Sequence, residues 1–176
     1  MSVQLISRPL PTVVYTENVA DVLEHETRFA IIDWLSRVKA ASEIISIWLP
    51  TEERCAHLPE MFHDIVTRLR APISSGKNDH IPLAAHSHGL KRHAQGYTPV
   101  MMIEESRILQ IAIFETLQLN IRHMDAASVL GDVMTIADEV QSQLAQAMTG
   151  YFGKDQLTAL SRTRQIQRAD LTRPAT

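Results

Sequence analysis

A single cysteine, Cys55, in 176 residues excludes an internal disulfide and any cysteine-based zinc finger. Glycine is scarce as well. The six glycines form no GxG, GxGxxG or GxxxxGK[ST] pattern, so no phosphate-cradling loop is present and a kinase is excluded. No GxSxG serine-nucleophile signature occurs. Positive charge is not in excess. The net charge is -3 with neutral histidines and the pI is about 6.2, unlike the basic footprint of a nucleic-acid binder. No basic start followed by an apolar stretch opens the chain, so a secretory signal is not expected. The most apolar segment, "ILQIAIFETLQLNI", is broken by Gln110, Glu115 and Gln118 and falls short of a membrane span. Alternating strand patterns, internal repeats and low-complexity tracts are also missing. The expectation is a soluble, cytoplasmic protein.

What is present is helical periodicity. Apolar residues make up 45% and charged residues 21%, which suits one globular core in a chain of this length. Residues 1–16 read as an extended arm, 17–152 as the helical body, and 153–176 as a polar helix and tail. In the first helix, Leu23, Ala30, Ile31, Trp34, Leu35 and Val38 share a face. Pro50 stops "ASEIISIWL", and Thr51 is expected to cap "TEER". Pro59 opens "PEMFHDIVTRLR", which brings Leu58 and Phe62 to the core. "APISSGKNDHIP" reads as a loop. Pro82 starts the next helix and Gly96 ends it. Thr98 and Pro99 start the longest apolar helix, about 98–121, with Ile108, Ile111, Phe114, Leu117 and Leu119 covering nearly every side. Asp125 caps a last helix in which Leu130, Val133, Ala137, Val140, Leu144, Ala147 and Tyr151 step by three and four. That narrow seam, edged by Asp132, Glu139, Gln141 and Gln143, predicts a homodimer, with Gly153 ending the helix. The fold class expected is an all-α, single-domain bundle of five to seven helices, with a globin-like arrangement as one form of it.

The densest chemistry is "HSHGLKRHAQGY", residues 86–97. A metal site needs three or four converging ligands. On a helix, His86 and His93 share a face and His88 points elsewhere, so no native metal is expected there, even with His80 nearby. "HETR", residues 25–28, is similar to the phosphoacceptor box of histidine kinases, but "FAIIDW" follows without the usual proline. His25 is therefore a phosphotransfer alternative. His63, in "MFHDIV", and His123 are the histidines a haem alternative would use.

Taken in order, "IIDWLSRV", "HLPEMFHDIVTRL" and "AAHSHGLKRHAQGYTPVMMIEESRILQIAI" form a set. His88, Arg92, Gly96, Tyr97, then Glu105 and Arg107 in a long apolar helix, make the chain resemble the N-terminal domain of RsbT co-antagonist proteins of the RsbRD type. The resemblance covers about residues 20–150. Ser106 stands where that family commonly has an aromatic residue, and Gln110 where it has an arginine. The resemblance implies a helical sensory or regulatory module placed before histidine-kinase, STAS or other output domains. It implies no catalysis and no cofactor, and its partners would be a signalling output domain or kinase. His88 and Arg92, four apart, share a helix face and are expected to reach Glu104 or Glu105 once the chain reverses at Gly96. These residues, with Tyr97 and Arg107, form the candidate ligand or partner surface.

Overall fold

The computed structural model describes the backbone of residues 17–71 and 83–171, and the side chains of those residues except Ala126 and 154–171. The expected N-terminal arm, the 72–82 loop with Pro82 and His80, and the last five residues lie outside the described residues. The described residues are all-α. Their elements are α1 (Val19–Ala40), α2 (Ser42–Ile45), α3 (Thr51–Cys55), α4 (Leu58–Arg70), α5 (Leu83–Ala94), α6 (Pro99–Asn120) and α7 (Ala126–Leu171). A 3-10 turn, Ile121–His123, joins α6 to α7. No helix is long and apolar enough to cross a membrane among the described residues.

Local chemistry sets the helix ends. Asn18 Oδ1 accepts from the Asp21 amide at 2.8 Å and starts α1. Thr98 Oγ1 accepts from the Met101 amide, and Pro99 occupies the first turn of α6. Asp125 Oδ1 accepts from the Ala127 amide at the head of α7. Two expected ends differ. Pro50, not Thr51, holds the cap position of α3, and no side chain caps that helix. Gly153 does not end α7, which continues to Leu171. Gly96, with a φ of 86°, is the only positive-φ residue among those described, and α5 stops beside it. A glycine costs a helix interior only about 1 kcal/mol. It ends a helix when it adopts the left-handed conformation. Gly96→Val should therefore lose about 1–3 kcal/mol in thermal or urea melts, because a β-branched residue resists that conformation. A melt unchanged from the parent would contradict this geometry.

In the bundle, α1 packs on α6 and α4, while α7 packs on α5, α4 and α6. Trp34, Leu58, Phe62, Ile108 and Leu117 are buried, as their spacing implies. The central helix is less enclosed than its composition suggests. Ile111 and Phe114 are half-buried, and Leu119 stands 84% exposed. α6 is covered by α1 and α7 and leaves one side open, so those residues belong to the margin of the core.

The α7 seam also needs correction. Val140, Ala147 and Tyr151 are buried within this chain, Val133, Ala137 and Leu144 are half-buried, and Leu130 is 71% exposed. The seam therefore serves its own bundle. Its stripe is narrow because α5 meets it with almost no side chain between the two backbones. A Cβ at Gly89 would stand 1.8 Å from the Ala147 carbonyl oxygen, and one at Gly150 would stand 2.1 Å from the His86 carbonyl oxygen. Gln143, expected at a polar edge, is fully buried and donates from Nε2 to the Met61 carbonyl at 3.0 Å.

Candidate functional site

The turn at Gly96 lets side chains of α5 and α6 meet in a buried polar network. Arg92, on α5, is 1% exposed, and Glu105, on α6, is 3% exposed. Arg92 Nε donates to Glu105 Oε2 at 3.0 Å. Its Nη1 donates to Gln95 Oε1 at 2.9 Å and its Nη2 to the Arg54 carbonyl at 2.9 Å. Tyr97 donates its hydroxyl hydrogen to Glu105 Oε1 at 3.0 Å. That hydroxyl in turn accepts from Arg54 Nη1 at 2.6 Å. The other Arg54 nitrogen, Nη2, caps the Ile47 carbonyl at 2.7 Å. Charged groups persist in a core only when such partners are supplied. The network thus ties α3, α5 and α6 together at one point.

Two imidazoles complete the cluster. His88 Nε2 lies 3.5 Å from Glu105 Oε2. His57, at the head of α4, stacks on His88 with ring centroids 3.7 Å apart and planes inclined by 19°. Trp34 meets His57 edge-on and donates its indole N–H to the Glu105 carbonyl at 3.3 Å. A small cavity of about 20 Å³ borders Trp34, His57, His88, Glu105, Ser106 and Gln143. On the outer side of the two histidines a surface depression of about 390 Å³ is lined by Glu53, Lys91, Arg92 and Gln95.

The electrostatics follow from burial. Burial pushes the Glu105 carboxyl upward, but His88 and Arg92 outweigh it and hold the group below its ordinary range. Glu105 is ionised, with Arg92 as its counter-charge. Burial is the main cause that lowers His57, helped by the neighbouring His88, Arg92 and Lys91. Burial likewise lowers His88, and Glu105 only partly offsets it. Both imidazoles are neutral in the fold at pH 7. Burial also raises the Tyr97 phenol, which stays protonated as a donor.

This sets the sign of the pH dependence. Below the ordinary histidine value of 6.5, the unfolded chain binds protons at His57 and His88 that the folded chain refuses. Stability should therefore fall as pH drops from 7.5 through 6.5 toward 5, by at most about 1.4 kcal/mol per pH unit per histidine. Urea midpoints across that range should show the slope, and His57→Gln should reduce it. A flat profile would mean that the histidines protonate as freely in the fold as outside it.

Of the residues singled out by spacing, His88, Arg92, Gly96, Tyr97 and Glu105 come together here. Glu104 and Arg107 do not join them. They pair with each other at the surface, at 2.6 and 2.7 Å, so Glu104 is not the partner of Arg92. The other histidines of the sequence alternatives stand apart, with His63 and His123 exposed and His25 on the far part of α1. His63 is thus not the apolar-facing histidine that a haem reading needs, and the 20 Å³ cavity is the size of one water rather than of a porphyrin. Arg54, His57 and Gln143 are the members that spacing did not reveal. Comparison with protein-family models, curated proteins and solved structures finds no match for this chain.

Proposed function

We propose that this chain is a non-catalytic regulatory domain of the kind its RsbRD-like sequence order implies, a helical sensor that passes a change at the α5–α6 joint to α7. One observation carries the reading. The Tyr151 hydroxyl of α7 donates to the Tyr97 carbonyl at 2.7 Å, so the long helix is bonded directly to the joint that holds the buried charges. The glycine contacts seat α5 on α7 backbone to backbone, and such close packing moves as a unit rather than deforming smoothly. An effector acts on such a pair only through different affinity for its two packings. An output domain or partner kinase would read the position of α7. Homodimerisation belongs to the same reading. Its surface would be the outer side of α7, where Leu130 and Met134 stand exposed one turn apart.

Hydrogen exchange tests this. Glu105→Gln removes the charge at the joint without touching α7. Exchange across residues 137–151 should quicken more than in Val38→Ala, a buried change on α1 chosen for comparable overall destabilisation. Equal α7 exchange in the two variants would remove the reading.

A further inference from the structure

We propose that His57, His88 and Glu105 form a binding site for one divalent transition-metal ion of the zinc class, with a water in the adjoining cavity as its fourth ligand. The site goes beyond the regulatory reading and holds whether or not α7 reports on it. The three side chains come from the head of α4, from α5 and from α6, and their ligand atoms all lie within 4.8 Å of one another. Two imidazoles and a carboxylate are a donor set that zinc and its first-row neighbours take.

The spacing is already part-formed. Two ligands about 2.0–2.1 Å from a tetrahedral zinc lie about 3.4 Å apart. The His88 Nε2–Glu105 Oε2 separation is 3.5 Å. A metal would take the position between those atoms, with the remaining proton of neutral His88 on Nδ1. His57 must swing out of its stack to complete the set, and the depression beside it leaves room for that rotation.

A second observation is independent of these ligands. Gln143 is fully buried, and its Oε1 has no hydrogen-bond partner. Its Nε2 faces two acceptors, the Met61 carbonyl and Glu139 Oε1, so the unpaired end is the oxygen. A buried acceptor without a donor is a destabilising arrangement that a bound water relieves. Gln143 borders the same 20 Å³ cavity as all three proposed ligands. That volume holds one water, and a metal-bound water there would donate to Gln143.

One feature opposes the metal. Arg92 already bonds Glu105 Oε2, and its charge repels a dication. The affinity should therefore be micromolar rather than that of a closed structural zinc site.

The metal-stripped 176-residue chain should be titrated with Zn²⁺ by calorimetry and with Co²⁺ by visible absorption. The expected result is one equivalent bound, tetrahedral Co²⁺ bands, and a higher melting temperature with Zn²⁺. His57→Gln, a half-buried position, should keep the helical spectrum and lose all three. His63→Gln, an exposed histidine of α4, should retain them. Absence of stoichiometric binding by the parent, or undiminished binding by His57→Gln, overturns the proposal.

Discussion

Arg92→Met should be among the most damaging single changes in the chain, losing about 3–5 kcal/mol in urea or thermal melts. Methionine fills much of the same volume, so packing is not the main loss. The loss is electrostatic. Glu105 is 3% exposed and ionised, and Arg92 is the guanidinium that bonds it directly. Removing that group leaves a buried carboxylate with Tyr97 and neutral His88 as its close partners. It also frees the Arg54 carbonyl and Gln95 Oε1 from their donor. A change smaller than about 1 kcal/mol would mean that Glu105 is neutral or wet in the folded state.

The second large effect reverses an ordinary rule. Glycine to alanine inside a helix normally gains up to about 1 kcal/mol. At Gly89 and Gly150 it should instead lose about 3 kcal/mol at each site, the upper part of the range for overpacking. The added methyl would meet a backbone carbonyl at 1.8 or 2.1 Å, and a backbone cannot swing aside as a side-chain tip can. α5 and α7 would have to separate. Gly131 is the control. It lies in the same helix α7, and a methyl group added there would meet no heavy atom within 4 Å, so Gly131→Ala should stabilise. Equal stabilisation at all three glycines would show that α5 and α7 are not in backbone contact.

The helices were legible in the sequence because their apolar faces repeat at three and four residues and because Thr98 and Asp125 cap α6 and α7. The joint was legible for a related reason. His88 and Arg92 are one turn apart, Gly96 permits the reversal, and Glu105 follows in the next helix within reach. Arg54 and His57 were not legible. They reach the joint from 38 and 31 residues before Arg92 and His88, on a short helix and a turn that carry no periodic signal. The α7 seam misled for a physical reason. A narrow apolar stripe is shared by dimer seams and by helices that pack through glycine, and only the partner tells them apart. That partner is α5, whose Gly89 adds nothing to an apolar stripe. Gln143 reads as a surface residue by type, yet it is buried because the Met61 carbonyl accepts its amide hydrogen.

The central claim is that the buried charges and α7 form one coupled unit. A double-mutant cycle on Glu105→Gln and Tyr151→Phe measures it. Both side chains bond Tyr97, Glu105 through the hydroxyl and Tyr151 through the carbonyl, so that residue links them directly. Urea unfolding of the parent, both single variants and the double variant yields the interaction energy. Coupling above about 0.5 kcal/mol is the result this account requires, and additivity within that limit would contradict it.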